Sequence, residues 1–178
     1  RVLSNVVWSQ IKIHQKWGGV VPNLARRAHE ERLPAVVSTA LRQSNLANST
    51  NLSNLTNSIA AIAITIGPGL APALEVGIHY AKQFALANKI PLIPVNHLEG
   101  HIASVFLRHR SGKLYLPNLP NSANLPNFLS LIVSGGHTEL VFSESTNSAR
   151  LNASSRAFVG PSFSHQLLGQ TLDDAAGE

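Results

Sequence analysis

The chain has 178 residues, of which 44% are hydrophobic and 13% are charged. This balance is typical of a folded globular protein and excludes an intrinsically disordered one. No apolar run reaches the roughly 18 residues that a membrane span requires, so we expect a soluble protein with no membrane partner. Because the sequence has no cysteine, a disulfide framework and a thiolate metal site are both excluded, and any metal must be held by histidine and carboxylate.

The chain is basic, because 14 Lys and Arg residues against 9 Asp and Glu residues give a formal net charge of +5. Such a surface attracts a polyanion such as RNA, although a basic composition without such a partner is an equally good explanation. Arg26 and Arg27 are interpreted as a solvated helix face, with RNA contact as the alternative. Trp8 and Trp17 are interpreted as core or interface residues.

The N-terminal part predicts a short β segment at Val2–Trp8, followed by helix over Val20–Gln43. Pro22 suits a first helical position, and Pro34 is expected to kink or restart the helix and so divide it into two pieces. The Asn, Ser and Thr residues of Ser44–Ser58 predict a surface loop.

The middle of the chain predicts a β-α-β unit. Ile59–Ile66 is apolar on both faces, as in a strand covered on both sides, and Pro91–Val95 is a second buried strand. The helix between them begins near Pro72 and ends near Asn88. Two strands joined in this way are expected to be parallel, with a right-handed crossover. The helix has an apolar stripe at helical spacing, formed by Leu74, Ile78, Ala81 and Ala85.

A further helix is predicted from Asn96 to about His109, because Asn96 can cap it and Glu99 completes a capping-box pattern. Tyr115–Asn127 is rich in Pro and Asn and predicts a linker between two lobes.

The C-terminal part predicts a hairpin of Phe128–Val133 and Thr138–Phe142 around a tight turn. Ser143–Ser164 is interpreted as irregular, and Gln166–Thr171 as one more strand. Asp173 or Asp174 is then expected to cap a helix that the chain does not finish.

His97 and His101 are the strongest candidates for chemistry. Side chains four residues apart share one helical face, and two imidazoles at this spacing can hold one metal ion. The alternative is that one histidine caps the helix and the other is solvated. Glu99 lies two residues after His97, whereas a zinc protease of the H-E-x-x-H type needs glutamate directly after the first histidine.

Two glycine-containing turns are candidate ligand loops. Paired glycines in Ser134–Thr138 let backbone N–H groups approach a phosphate, although a simple hairpin turn is an equal alternative. No P-loop lysine is present, so a P-loop NTPase is disfavoured. Gly67-Pro68-Gly69 is more simply explained as a strand-to-helix turn. Asp173, Asp174 and Glu178 are the acids that stand near the C-terminus and are candidates to hold a water or a nucleotide.

Four segments together resemble one known family, the tRNA threonylcarbamoyladenosine transferases of the TsaD type, in its bacterial or mitochondrial branch. They occur in the order of the family across nearly the whole chain. The four segments together are far more specific for this family than any one segment alone. The segments are His14–His29 (HQKWGGVVPNLARRAH), Ile64–Gly77 (ITIGPGLAPALEVG), Pro91–His101 (PLIPVNHLEGH), and the pair Ser134–Leu140 (SGGHTEL) with Leu168–Glu178 (LGQTLDDAAGE).

The resemblance implies an α/β, actin-like ATPase fold of two lobes (ASKHA, ribonuclease-H-like), here expected to be incomplete at both ends. It implies an acyltransferase that moves the threonylcarbamoyl group from threonylcarbamoyl-AMP to the exocyclic amine of the adenine next to the anticodon, in tRNAs that read codons starting with A. It implies one divalent metal ion per subunit, Fe or Zn, and a nucleotide substrate, threonylcarbamoyl-AMP or ATP.

The same resemblance implies roles for individual residues. His97 and His101 match the metal ligands of the family. A third ligand, an Asp, and a later Gly-rich nucleotide loop are expected outside this chain. Glu178 matches a glutamate close to the metal and is the candidate catalytic residue. The segment implied to contact the nucleotide consists of Ile132, Val133, Ser134, Gly135 and Gly136.

The organisation that follows is the remainder of an N-terminal lobe over 1–116, a linker over 117–127 and the beginning of a second lobe over 128–178. We expect this piece to be inactive alone. The implied partners are tRNA and either a second copy in a homodimer, for a mitochondrial protein, or partner subunits, for a bacterial one. A mitochondrial location is predicted, with the cytoplasm as the alternative.

Three other functions remain open at the level of sequence. The first is a metalloendopeptidase, an older label of the family that the position of Glu99 argues against. The second is a nucleotide-binding relative without transferase activity, and the third is a degenerate piece that acts only through a partner.

Overall fold

The computed structural model describes residues 2–44, 59–106, 126–134, 138–146 and 162–171. The described residues form two compact units, the first ending at Gly100 and the second beginning at His101. The helices are α1 (Ile11–His14), a 3-10 turn (Gln15–Trp17), α2 (Pro22–Gln43), α3 (Ala71–Asn88) and α4 (His97–Ser104). The strands are β1 (Ile62–Gly67), β2 (Leu92–Asn96), β3 (Phe128–Val133), β4 (Thr138–Thr146) and β5 (Ser162–Gln170).

The N-terminal segment corrects the first expectation. Residues 2–10 form neither helix nor strand, so the β segment predicted at Val2–Trp8 is wrong. Its apolar residues match strand propensity, but a strand also needs a neighbour for its backbone hydrogen bonds. Trp8 instead lies against α2, where the guanidinium carbon of Arg32 is 5.0 Å from the centre of the Trp8 ring.

A buried histidine fixes the turn that leads into α2. His14 is only 7% exposed, and its Nδ1 accepts a hydrogen bond from the Val21 backbone N–H at 3.3 Å. Since Nδ1 accepts, the proton sits on Nε2, which donates to Oε1 of Gln10 at 3.0 Å. Gly18 closes the intervening turn in the left-handed region, with φ of 69°. His14 therefore joins both sides of the turn to the start of α2.

Helix α2 is continuous over Pro22–Gln43, and Pro34 lies inside it. The predicted start at Pro22 is confirmed, and the predicted division into two pieces at Pro34 is wrong. Proline removes one backbone hydrogen bond, but its ring is exposed here, while Ala25 and Ala28 are buried. Helix α2 packs on α3, and we infer that this packing outweighs the local cost of the proline.

The predicted β-α-β unit is confirmed in its elements and direction. Strands β1 and β2 pair in parallel, from Ile62 opposite Leu92 to Gly67 opposite Asn96. Helix α3 packs on both strands. The other side of the pair is less covered, since Ile93 is 39% exposed and its register partner Ala63 is also exposed. The prediction of strands covered on both faces is therefore wrong for the part of the chain that the structure describes, and the right-handed crossover stays a prediction.

Close approach of helix to strand explains the glycine in the middle of α3. The predicted stripe of α3 faces inward, with Ala81 and Ala85 buried and Leu74 and Ile78 half-buried. A Cβ placed on Gly77 would lie 3.3 Å from Cδ1 of Ile64 on β1. The helix therefore sits as near to the strand as a residue without a side chain allows.

The C-terminus of α3 is a Schellman motif with lysine where glycine is favoured. The Ile90 N–H donates to the Ala85 carbonyl at 3.0 Å, and the Lys89 N–H donates to the Leu86 carbonyl at 3.3 Å. Lys89 adopts φ of 53°, the left-handed conformation that costs a side-chain-bearing residue about 1 kcal/mol. The predicted helix end at Asn88 is confirmed, and the Asn88 amide donates to the Phe84 carbonyl at 2.8 Å.

We expect Lys89→Gly to raise the free energy of unfolding by about 0.5–1 kcal/mol, because glycine adopts the left-handed conformation without strain. The matched control is Lys82→Gly in the interior of α3, which should lower it by about 1 kcal/mol. Urea unfolding followed by circular dichroism measures both. A loss of stability in both variants would contradict this account of the helix end.

The second unit contains an antiparallel sheet in the order β3-β4-β5. The predicted hairpin is confirmed, with Phe128 opposite Ser143 and Val133 opposite Thr138. Strand β4 continues to Thr146 and β5 begins at Ser162. The prediction that all of Ser143–Ser164 is irregular is therefore wrong at both of its ends.

Packing in this unit centres on three phenylalanines. The Phe106 ring stacks on Phe163 at 5.7 Å between centres, and Phe128 meets both rings edge-on at 5.2 Å. Beside them, the fully buried Ser143 shares a hydrogen bond of 2.9 Å with Nδ1 of His165. Ladder hydrogen bonds and ring packing together hold a segment whose serine content alone predicts a loop.

Several predictions fall on residues that the structure does not describe. These are the loop after Ser44, most of the linker at 117–127, and the helix expected after Asp173. The predicted domain boundaries therefore stay a prediction. Within the described ranges, no helix is both long enough and apolar enough to cross a bilayer.

Candidate functional site

The two candidate histidines lie on α4, which starts where β2 ends. Asn96 is the last residue of β2, and its Oδ1 accepts a hydrogen bond of 2.8 Å from the Leu98 N–H. This side-chain cap, predicted from the sequence, turns the chain directly from strand into helix. His97 is consequently the first residue of the helix, at the carboxyl end of a parallel strand, where ligands of α/β proteins gather.

His97 and His101 are one helical turn apart, and both are exposed. Ile102 is buried on a different face of α4. The helix ends at Ser104, whose hydroxyl donates to the His101 carbonyl at 2.7 Å. The structure describes this part of the chain as far as residue 106. The predicted extension of the helix to about His109 is therefore wrong at the two described residues that follow Ser104.

The donor set of α4 fits one part of a metal site. Two imidazoles on one helical face suit Zn or Fe. A complete site needs at least one further ligand, and no cluster of three or more histidine, aspartate or glutamate side chains occurs within the described ranges. The pair is therefore suited to supply two ligands of the site that the resemblance implies, and the assignment of both histidines as ligands stays a prediction.

The Gly67-Pro68-Gly69 loop lies at the same edge of the sheet. Gly67 is the register partner of Asn96, so the loop begins beside the start of α4. Gly69 has φ of 153°, and a Cβ there would lie 3.3 Å from Cδ1 of Leu74. The first turn of α3 thus packs against this loop and fixes its backbone, which favours the structural interpretation of a strand-to-helix turn.

The candidate nucleotide-contacting segment begins at the end of β3. Ile132 is half-buried, whereas Val133 and Ser134 are exposed beyond it. Gly135 and Gly136 lie outside the described residues. The structure thus places the first three of these residues at a strand end that leads into the glycine turn, the position that the sequence predicts.

A contact that sequence reasoning missed joins this hairpin to the end of β5. The Thr138 carbonyl accepts from the Thr171 backbone N–H at 2.8 Å and from its hydroxyl at 3.2 Å. This double contact holds Thr171, the residue after β5, against Thr138, the first residue of β4. No sequence pattern predicts this contact, because the acceptor is a backbone carbonyl 33 residues away.

Comparison with known proteins decides the family. A family model described as tRNA N6-adenosine threonylcarbamoyltransferase (TsaD) matches residues 1–178. Curated proteins of that name from Clostridium beijerinckii, Clostridioides difficile and Clostridium novyi are 41%, 40% and 42% identical to this chain over 177 residues. The chain belongs to the TsaD family.

The chain spans about two fifths of the length of these relatives, since the match covers 99% of this chain and 41–42% of theirs. The names of the relatives do not favour a metalloendopeptidase or a non-catalytic nucleotide-binding protein. Within the TsaD family the overall architecture is actin-like, and the mixed helices and sheets observed here are consistent with it.

The C-terminal acids remain untested as site residues. Asp173, Asp174 and Glu178, the candidate catalytic glutamate, lie outside the described residues. His97 and His101 share one helix, and Ile132, Val133 and Ser134 share one strand end. Their assignments as metal ligands and nucleotide contacts stay predictions.

Proposed function

We propose that the protein transfers the threonylcarbamoyl group from threonylcarbamoyl-AMP to the exocyclic amine of the adenine next to the anticodon, in tRNAs reading codons that start with A. The observation that carries the proposal is the family match across all 178 residues. It is supported by the two histidines at the start of α4, which suit a metal-dependent acyl transfer better than a peptidase.

The reaction is an acyl transfer. The adenine amine attacks the carbamoyl carbon, a new C–N bond forms, the C–O bond to the phosphate breaks, and AMP leaves as the amine loses a proton. A metal ion held by His97 and His101, Fe or Zn, would polarise the donor and stabilise the charge that develops on it.

The other proposed residues bind and orient the donor. Backbone N–H groups of Ser134, Gly135 and Gly136 are suited to an anionic phosphate, since glycine lets the donor approach the main chain. Ile132 and Val133 would contact the nucleotide at the end of β3. Glu178 would act near the metal.

The partners belong to the same proposal. The substrate tRNA is a polyanion, which suits the formal net charge of +5. A homodimer would fit a mitochondrial protein, and partner subunits would fit a bacterial one. The location itself, mitochondrion or cytoplasm, stays a prediction beside relatives that are bacterial.

The test is transfer of label from radiolabelled threonylcarbamoyl-AMP to unmodified tRNA by the full-length protein, with and without the bacterial partner subunits. We expect label in the tRNA fraction. Release of free AMP without labelled tRNA, under both conditions, would contradict the proposal. A peptide substrate run in parallel should remain intact.

A further inference from the structure

One aromatic side chain stands out on the surface of the first unit. Trp17 is 59% exposed, although the hydrophobicity of its side chain alone predicts a core or interface position. The other tryptophan, Trp8, is 39% exposed and has Arg32 over its ring. Leaving an indole in water rather than burying it costs roughly 1–3 kcal/mol, and the Lys16 ammonium near the Trp17 ring does not bury it. A binding partner that covers the ring would therefore be favourable.

The position of Trp17 is fixed by the turn that carries it. The residue ends the 3-10 turn, directly before Gly18 in its left-handed conformation. On one side the turn follows His14, which is buried, and on the other side the Val21 N–H donates to the same imidazole. A rigid, exposed aromatic ring binds with little loss of conformational entropy.

The charge around Trp17 has one sign. The first acidic residue of the chain is Glu30, so residues 1–29 contain only basic charges. The Lys16 ammonium lies 5.2 Å from the centre of the Trp17 ring. Arg26 is paired with Glu30, whereas Lys12, Lys16 and Arg27 have no carboxylate partner among the residues that the structure describes.

An exposed aromatic ring with a lysine beside it, in a segment whose other charges are also basic, is suited to single-stranded nucleic acid, in which a base stacks on the ring and the neighbouring phosphates meet the cations. A protein partner would also use the ring, but the run of positive charge requires an acidic partner, and RNA supplies one phosphate per nucleotide. We propose that Trp17, with Lys12 and Lys16, stacks on an unpaired base of the tRNA. This inference rests on the proposed function only for the identity of the RNA.

The experiment measures affinity apart from chemistry. Fluorescence anisotropy of end-labelled, unmodified tRNA gives the Kd for the full-length protein at several salt concentrations. We expect Trp17→Ala to raise the Kd about 5- to 100-fold, as is typical for loss of one base–aromatic stack. Trp17→Phe, which keeps an aromatic face, should lose far less.

Three further variants separate stacking from charge and from structure. Lys12→Gln and Lys16→Gln should each make the dependence of log Kd on log salt shallower by about 0.7 to 0.9. Trp8→Phe is the matched control and should leave the Kd unchanged. Circular dichroism should be the same for all variants, because Trp17 is exposed.

The outcomes are distinct from those of the transfer assay. Equal tRNA affinity of Trp17→Ala and the parent would overturn the inference, whether or not the parent transfers the group. Absence of any tRNA binding by the parent would also overturn it. Weakened binding in Trp17→Ala by a protein without transferase activity would support the inference and contradict the proposed function.

Discussion

Replacing either histidine at the start of α4 by alanine should remove the metal and reduce threonylcarbamoyl transfer at least about 100-fold, the loss typical of removing a principal source of electrostatic stabilisation in an active site. His97 and His101 lie one helical turn apart, so in the proposed site each would contribute one ligand to the same ion. Metal content by mass spectrometry after dialysis, together with the single-turnover transfer rate, measures both effects on the full-length protein.

Glu99→Gln is the matched control for the histidine variants. Glu99 is exposed in the same first turn of α4, so its replacement tests whether any change in this helix disturbs the site. We expect metal content and transfer rate close to those of the parent. A parental transfer rate in His101→Ala, or equal losses in Glu99→Gln and the histidine variants, would contradict the assignment of the ligands.

Gly77→Val should lower the free energy of unfolding by about 2–3 kcal/mol, the largest stability effect that we expect from a single substitution in the β-α-β unit. The first added carbon alone would lie 3.3 Å from Cδ1 of Ile64, and the two methyl groups of valine add to the crowding. Either α3 must move away from β1 or Ile64 must leave its rotamer. Urea unfolding of the full-length protein measures the loss.

Gly100→Ala gives the opposite expectation in the other glycine-containing helix. A Cβ at Gly100 meets no atom within 4 Å, so alanine should raise the free energy of unfolding by about 0.5–1 kcal/mol through helix propensity alone. If both substitutions changed stability equally, close packing would not be the reason for glycine at position 77.

Short sequence patterns correctly predicted the features that are determined by residues close together in the chain. The apolar stripe of α3 and the cap at Asn96 are read from a few neighbouring residues, and both are confirmed. Helix α2 shows the limit of such rules. Pro34 predicts a break, yet the helix continues because its other residues pack on α3. The sequence rule for proline considers only the local backbone and does not include that packing.

The strand errors have the same cause. Val2–Trp8 has the composition of a strand but pairs with no other segment among the described residues. Ser143, in contrast, begins a serine-rich segment that predicts a loop, and it pairs with both Phe128 and His165. Pairing depends on a partner that is distant in sequence, so composition alone assigns both segments wrongly.

The candidate site was predictable where it is encoded in spacing. The separation of four residues between His97 and His101 is the pattern that identifies them as candidates. The exposure of Trp17 and the contact between Thr171 and Thr138 were not predictable, because both depend on how the backbone turns in space. Hydrophobicity alone assigns Trp17 to a core or an interface, and only the geometry leaves its ring in solvent.

The measurement that tests the central claim most directly is the position of the transferred label within the tRNA. After reaction with labelled threonylcarbamoyl-AMP, nuclease digestion and mass spectrometry of the fragments should place all of the label on the amine of the adenine next to the anticodon. A tRNA with guanine at that position should remain unlabelled. Label at any other position, or equal labelling of both tRNAs, would contradict the proposal that this protein is an adenine-specific tRNA threonylcarbamoyltransferase.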